Sequence, residues 1–332
     1  MNILITGGLG FIGSNLISLL ITKSKVKKII IIDNQSKSTL TYLDTICKYK
    51  YFHNISSYKP NHSRISVIRA NTKNSNFAVK ITKNIDVVVH LAAESGVDLN
   101  IANPRKAFDI NIVGTFNYLE ACRINKVKNF IFASSGSVFG DATPPMTEKT
   151  IKQPISTYGS SKLAIESFCE TYSKIFNIKT TVLRFSNAYG PFSFHKKSII
   201  ANFIKNILSE ENLLINGRGN ITRDYVHVSD IVNAIYKSFA QKKVFDDFNV
   251  ATGKETSINS LATLMIKIFR NYKYNKIVVK YGKERIGDMK FNFMKSDKYL
   301  RYYKSKKFIN IESGLKQTIE WFIKNYQLCM RK

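Results

Sequence analysis

The sequence predicts an α/β protein: a doubly wound parallel sheet followed by a smaller α/β lobe. Three observations carry this. Short β-branched runs alternate with helical patterns through the first half of the chain, the first of these runs leads straight into a glycine-rich turn, and the rhythm breaks after Phe185. Alternation of this kind marks parallel strands joined by helices that cover both faces of the sheet.

Taken in order, strands are expected over 2–6, 28–33, 64–70, 86–91, 128–133 and 180–185, six in all, with helices over 11–22, 76–82, 104–125 and 155–176. The strands are rich in Val, Ile and Phe, as burial on both faces requires. Segment 34–63 fits the rhythm poorly and reads as a variable surface excursion with a short helix over 41–49. Beyond it, residues 1–186 form one expected domain and 187–332 a second, made of helices and a few short strands. Part of 224–250, with a helix after Ser229 and the strand-like 248–250, is expected to pack back onto the first domain.

A chain of 332 residues can bury a substantial core, and 44% of its residues are hydrophobic. No apolar run approaches the roughly 20 residues that a membrane-spanning helix needs, so no membrane insertion is expected. The first strand runs into the glycine turn without a leader-like pattern, which makes a cytoplasmic location the expectation. Cys47, Cys122, Cys169 and Cys329 are far apart, and the five histidines lack metal-ligand spacing; neither disulfide nor metal is expected. The net charge of +28 would attract nucleic acid, an anionic membrane surface or an acidic substrate. Its lysines are scattered and not interleaved with aromatics as a base-stacking surface would be, so no dedicated nucleic-acid partner is expected.

Residues 1–13 read MNILITGGLGFIG, an apolar strand delivering Gly7, Gly10 and Gly13 to the start of an amphipathic helix. Gly7 suits a tight turn, Gly10 lets the backbone approach a pyrophosphate, and Gly13 permits close packing of helix on strand. The helix N-terminus faces the negative charge. The second strand ends in Asp33, about 20 residues after the loop, where a carboxylate can accept hydrogen bonds from ribose hydroxyls. That carboxylate would repel a 2′-phosphate, so NAD is expected rather than NADP, in a Rossmann-like site.

The fifth strand ends in ASSGSVFG, and Tyr158-Gly-Ser-Ser-Lys162 opens the helix that follows. Four residues apart, Tyr158 and Lys162 share a helical face. An ammonium beside a phenol favours the phenolate, and an oxidised nicotinamide adds further positive charge, so Tyr158 is expected to act as a base near neutrality, with Ser135 holding the substrate hydroxyl.

With these motifs, the sequence resembles the extended short-chain dehydrogenase/reductase family, in its NAD-dependent nucleotide-sugar epimerase/dehydratase branch. The matching stretches include GGLGFIG with Phe11 and Ile12, Asp33-Asn34, HLAAESGV from His90, ASSGSVFG, YGSSK, RFSNAYGP from Arg184, TRDYVHVSDIVNA from Thr222 and RIGD from Arg285 to Asp288. The resemblance implies that Phe11, Ile12, Asn34, Asn71, Leu91, Ala92 and Ala93 join the glycines, Asp33, Tyr158 and Lys162 around NAD. It implies substrate contacts from Ser95, with Gly96 and Val97 beside it, and from Ser135, Asn187, Leu214 and Asn216 of the strand LLING, Arg223, Arg285 and Asp288. The two arginines would grip the nucleotide diphosphate, since a guanidinium fork can pair two oxygens at once.

The 4,6-dehydratases of this family follow the strand-tip serine or threonine with an Asp-Glu pair that performs elimination, whereas Gly136 and Ser137 stand there in this chain. The resemblance therefore implies a 4-epimerase of a UDP-hexose, of either the UDP-glucose/galactose or the N-acetylated pair, acting by transient oxidation at C4 and supplying cell-surface polysaccharide precursors. Asn292, seven beyond Arg285, replaces a bulky tyrosine that excludes N-acetylated hexoses in similar epimerases, so the acetamido sugars are expected to be accepted. A dehydratase, decarboxylase or glucuronate epimerase on the same scaffold is the alternative, and a non-catalytic dinucleotide-binding or RNA-associated protein a further one. Family members pair through two helices, here 104–125 and 155–176, which implies a homodimer. Asn71 stands where relatives carry an acid near the adenine, Asn216 where many place an aromatic against the base, and Lys295 where many carry aspartate.

Overall fold

The computed structural model describes residues 1–59, 63–95, 100, 102–283 and 293–330. The chain forms two compact units: Met1–Ala142, Glu148–Phe185 and Val232–Phe248 make the first, and Thr143–Thr147, Ser186–Ile231 and Asn249–Lys332 the second.

In chain order the first unit carries β1 (Asn2–Thr6), α1 (Phe11–Leu20), β2 (Lys28–Asp33), α2 (Thr41–Asp44), β3 (Lys50–Phe52), β4 (Ile65–Arg69), α3 (Ser75–Ile81), β5 (Val87–His90), α4 (Pro104–Phe108), α5 (Gly114–Ile124), β6 (Asn129–Ser135), α6 (Thr157–Phe176) and β7 (Lys179–Phe185). Then come β8 (Asn187–Tyr189), α7 (Ile199–Leu208), β9 (Leu213–Asn216), β10 (Thr222–Arg223), β11 (Tyr225–His227) and α8 (Val228–Ser238). β12 (Phe245–Val250) precedes β13 (Thr256–Ser257), α9 (Ile258–Arg270), β14 (Val279–Gly282), α10 (Asp297–Tyr302) and α11 (Ile311–Met330).

The main sheet has eight strands in the order β12, β7, β6, β5, β1, β2, β4, β3, and every pair from β7 to β3 is parallel. Its central strands are buried on both faces. Ile3, Leu4, Ile29, Ile31, Val88, Val89, Phe130 and Phe132 are all sealed from solvent, and each such side chain contributes roughly 1.5–3 kcal/mol of burial. The strand order reverses between β1 and β5, so the chain ends of these two strands open the crevice where ligands of doubly wound sheets bind.

Two strands exceed the six expected. The segment read as a surface excursion contains β3, whose residues Lys50, Tyr51 and Phe52 pair with Ser66, Val67 and Ile68. Only Phe52 of the three is buried, so no apolar run announces this edge strand. β12 is the other. The helix expected over 104–125 is also interrupted, because Asp109–Val113 forms a π-helical turn between α4 and α5. This turn places the buried Asn111 in the middle of the unit.

The second unit is built on three two-stranded sheets: β8 with β11 and β9 with β14, both parallel, and β10 with β13, antiparallel. Its core gathers the apolar faces of α7, α9 and α11, with Ile204 and Ile207, Met265 and Phe269, Ile319 and Phe322 meeting there. Residues 143–147 belong to this unit because Met146 exchanges backbone hydrogen bonds with Phe293 and Lys295, at 3.1 and 2.8 Å.

Candidate active site

The glycine turn sits at the tip of β1. Gly7 has φ +68°, and a Cβ there would fall 2.7 Å from the Ala92 backbone nitrogen, so the turn and the close approach to the strand tip of β5 both demand glycine. A Cβ on Gly13 would collide with the carbonyl of Gly8, which is how α1 packs against its own turn. Gly10 differs. The one atom near a Cβ built there is the Gly7 carbonyl oxygen at 3.2 Å, and Gly10 caps α1 in an extended conformation without a side-chain cap. The first N–H groups of α1 are thereby presented to an anion.

Asp33 closes the other side of this cradle. Its carboxylate accepts the Leu9 N–H at 3.1 Å and the Gln35 N–H at 2.8 Å. Burial pushes its pKa up while these two amides pull the other way. A cavity of about 340 Å³ opens beside it, lined by Asn34, Ser36, Asn71, Lys73, Asn103 and Lys106 among others. Asn34 and Asn71 lie together in this lining, and Lys73, Asn103 and Lys106 beside them carry no motif that sequence reading could have found. The open Gly10, the bare helix terminus and a buried carboxylate at the tip of β2 fit a dinucleotide.

The segment after β5 is held from beneath. Leu91 N–H bonds to the Thr6 carbonyl at 3.0 Å and Ala92 N–H to the Thr6 hydroxyl at 3.3 Å. Asn111 accepts the Glu94 N–H at 2.8 Å and donates to the Glu94 carbonyl at 3.2 Å and to Ser161 Oγ at 3.1 Å. Glu94 itself pairs with Lys37 at 2.7 Å and Lys106 at 3.1 Å. Burial opposes its ionisation, and the two ammonium groups prevail, holding its carboxyl below the ordinary value. Both Asn111 and Glu94 escaped sequence reading. His90 is buried between Thr6 and Thr115, each 3.0 Å from a ring nitrogen, and burial lowers its pKa to about 3, so the ring is neutral and structural.

Ser135, Tyr158 and Lys162 come together where β6 meets α6. Ser156 caps α6 by accepting the Gly159 N–H at 3.0 Å. A Cβ on Gly159 would strike the Ser137 carbonyl, so glycine beside Tyr158 lets the helix start press onto the 3₁₀ turn Gly136–Phe139. Ser135 accepts the Ser137 N–H at 3.2 Å and hydrogen-bonds Tyr158. Lys162, 3% exposed, donates to the Ala133 carbonyl at 2.8 Å, with its nitrogen 5.7 Å from the centre of the Tyr158 ring.

Burial pushes Tyr158 up to about 12, with the Ser135 hydrogen bond opposing it, and burial lowers Lys162 to about 8, with Glu166 opposing. In the protein without cofactor the phenol is therefore protonated at neutral pH, because desolvation disfavours its charged form. A further positive charge close to the ring, such as an oxidised nicotinamide supplies, acts in the required direction.

In the second unit, Asn187 opens β8, its N–H bonding to the Asp224 carbonyl at 3.1 Å. Leu214 and Asn216 lie on β9, Leu214 exposed and Asn216 half-buried. Arg223, half-buried on β10, donates to the Thr222 carbonyl at 2.8 Å. Ser95 is half-buried in the first unit. Gly96, Val97, Arg285, Asp288 and Asn292 lie outside the described residues. Among the described residues no group of three His, Cys, Asp or Glu side chains could hold a metal ion, and no helix is long and apolar enough to cross a membrane.

Residues 3–251 match the NAD dependent epimerase/dehydratase family. The UDP-glucose 4-epimerase of Thermotoga maritima, solved with UDP-glucose, is 30% identical and superimposes with a TM-score of 0.86 over 98% of this chain and 100% of its own. A UDP-N-acetylglucosamine 4-epimerase from Methanobrevibacter ruminantium, solved with UDP-N-acetylmuramic acid, is 29% identical with a TM-score of 0.85, covering 98% of each chain. Human dTDP-D-glucose 4,6-dehydratase is 29% identical over 331 residues, 98% of this chain and 90% of that protein. With the cradle for NAD, the Ser-Tyr-Lys set and a family match that spans both, the chain belongs to the NAD-dependent epimerase/dehydratase family of nucleotide-sugar enzymes, within the extended short-chain dehydrogenases/reductases.

Proposed function

We propose that the protein is an isomerase, an NAD-dependent 4-epimerase of UDP-hexoses. The observation that carries this is the turn after Ser135. Gly136 and Ser137 occupy it, Gly136 buried and Ser137 engaged through its N–H with Ser135, so this turn offers no carboxyl group to remove a hydroxyl from the sugar. What the turn and α6 do offer is a proton path: Ser135 holds the C4 hydroxyl, Tyr158 takes its proton, and Lys162 keeps the phenolate's charge matched. NAD, when bound by Gly7, Gly10, Gly13, Asp33, Asn34, Asn71 and Leu91–Ala93, supplies a reversible hydride acceptor for C4.

Leu214, Asn216 and Arg223 are assigned to the nucleotide, and Asn187 to the sugar, as their motifs imply. UDP-glucose and UDP-N-acetylglucosamine are the two substrate classes favoured, since these are what the two similar epimerases are named for. The exposed Phe108, Val113, Ile124, Phe168, Ile175 and Phe176, all on the α4–α5 and α6 segments, support a homodimer formed through these helices.

Purified protein incubated with a panel of UDP- and dTDP-sugars, with chromatographic separation of C4 isomers, tests the reading. Interconversion at constant mass supports epimerisation. A product lighter by one water or one carbon dioxide would instead make the protein a dehydratase or decarboxylase.

A further inference from the structure

The connections that lead into the strands of the main sheet and those that lead out of them differ in charge. Residues 7–10 after β1 and 136–139 after β6 carry no charged side chain, and Lys37 and Lys73, after β2 and β4, stand against Asp33 and Glu94. On the way in, Lys23, Lys25 and Lys27 precede β2, Lys83 precedes β5, Lys126 and Lys128 precede β6, and Lys179 begins β7. Since these strands are parallel, every lysine of the second group lies at the end of the sheet remote from the cofactor crevice.

Hydrogen bonds join these entry connections into one surface. The Lys25 carbonyl accepts from the Met1 amine at 2.6 Å, and the neighbouring Asn2 donates from its side chain to the Asn84 carbonyl and from its N–H to Asp86, each at 2.9 Å. Asp86 pairs with Lys128 at 3.1 Å. Asn129, beside Lys128, donates to the Phe239 carbonyl at 3.0 Å and sits in register with Lys179, whose ammonium reaches the Gln241 carbonyl at 3.5 Å. Between the ends of α5 and α6 the surface sinks into a cavity of about 330 Å³, lined by Arg123, Lys126, Lys128, Asn177 and Lys179 among others. Glu120 holds Arg123 at 2.9 Å and Asp86 holds Lys128, so four cations meet two carboxylates there.

We propose that this face is a docking surface for an anionic lipid bilayer, its lysines and the cavity between α5 and α6 receiving headgroup phosphates. Complementary charge names the class of partner. The form of the face selects among polyanions. Residues 21–28, 82–86, 125–128 and 177–179 include no aromatic ring on which a base could stack, and they are connections rather than a helix or ribbon that enters a groove. Lysines spread over the blunt end of a sheet match a plane of phosphates, each as a compact point charge. Attachment of this kind needs no inserted segment, is reversible and weakens with salt. The crevice end of the sheet is left turned away from the bilayer, so docking and cofactor binding are independent.

Sedimentation of the whole NAD-loaded chain with lipid vesicles is the test. The protein should sediment with vesicles of phosphatidylcholine mixed with phosphatidylglycerol and stay in solution beside phosphatidylcholine alone. Raising salt from about 0.1 M to about 1 M shortens the Debye length from about 10 Å to about 3 Å and should release it. Lys126 holds φ +52° in its turn where Asn84 and Asn177 hold +60° and +55° in theirs, so Lys126→Asn suits the backbone. Combined with Lys25→Gln and Lys83→Gln, both at exposed positions, it should weaken binding about a hundredfold, at about fivefold per lysine near the surface. Lys83→Gln alone, expected at about fivefold, decides the matter if the triple variant does not fold. A matched triple, Lys267→Gln, Lys276→Gln and Lys324→Gln, removes the same charge from exposed positions of the second unit and should bind within about threefold of wild type. Equal losses in the two triples would reduce the effect to net charge and overturn the proposal, as would a wild-type protein that ignores the anionic vesicles. Tighter binding to a DNA fragment at the same salt, lost in the first triple, would make the face a nucleic-acid surface instead. NAD affinity should be equal on and off the vesicles, and a weaker affinity on them would put the contact at the crevice and sink the docking face.

Discussion

Asn111, on the π-turn between α4 and α5, donates to Ser161 Oγ at 3.1 Å, and Ser161 in turn donates to the Tyr158 carbonyl at 2.8 Å. The same side chain brackets the backbone of Glu94 on both sides. One buried amide therefore ties the helix of the proton-transfer residues to the segment that follows β5. Asn111→Leu would strand the Glu94 N–H and remove the donor to Ser161 Oγ, whose own bond to the Tyr158 carbonyl remains, lowering stability by about 1–3 kcal/mol. Urea unfolding at neutral pH should show this loss, and kcat should fall by about ten- to a hundredfold through misplacement of Tyr158. A variant with wild-type kcat would show that Tyr158 is held by α6 alone.

The glycines of the turn separate fold from binding. Gly7→Ala forces a Cβ into the Ala92 backbone at positive φ, so it should destabilise the protein by about 2 kcal/mol or more and reduce bound NAD together with it. Gly10→Ala meets only the Gly7 carbonyl oxygen at 3.2 Å, so its melting temperature without cofactor should stay within a few degrees of wild type. Its affinity for NAD should nevertheless drop by about tenfold or more, since the added methyl occupies the approach to the pyrophosphate. Calorimetric titration with NAD distinguishes the two. Equal NAD affinity in Gly10→Ala and wild type would remove Gly10 from the cofactor site.

Much of this was legible in the chain itself. Strands such as Ile29–Ile32 and Val87–Val89 announce themselves because burial on both faces demands unbroken β-branched runs, and Gly7, Asp33, Tyr158 and Lys162 because their chemistry requires fixed offsets from a strand end. What stayed hidden depends on register between distant segments. Ser134 meets Glu166 across 32 residues and Arg184 meets Asp247 across 63, and no local pattern encodes either. The π-turn at Asn111 was hidden for another reason, since one extra residue in a helical turn leaves the apolar periodicity on either side nearly intact. Lys50–Phe52 reads as loop because an edge strand needs only one buried side chain to hold its register.

Tyr158→Phe should abolish turnover, by about a thousandfold or more, because it removes the group that takes the hydroxyl proton while leaving the ring's packing. NAD binding should change little. In the wild-type protein without cofactor, the Tyr158 phenol, pushed up to about 12, should remain protonated up to about pH 11, and added NAD should lower that titration. Ultraviolet difference titration of wild type against Tyr158→Phe measures it. A Tyr158 that titrates identically with and without NAD would show that the cofactor's charge does not reach the phenol.

His90 sets a limit on acid stability. Its ring is buried between Thr6 and Thr115, and its pKa falls from the ordinary 6.5 to about 3. The unfolded chain therefore binds a proton that the folded one refuses between these values, so stability is lost as pH falls through that window and is fully present above it. By about pH 5 the loss should be about 2 kcal/mol, since each unit corresponds to about 1.4 kcal/mol. His90→Gln can still hydrogen-bond a threonine but does not titrate, so it should be less stable at neutral pH and show a shallower decline toward acid. Urea denaturation of both proteins at about pH 7 and pH 5 gives the comparison. Parallel declines in the two proteins would mean that His90 is protonated in the fold, with its charge satisfied by the surrounding hydroxyls and carbonyls.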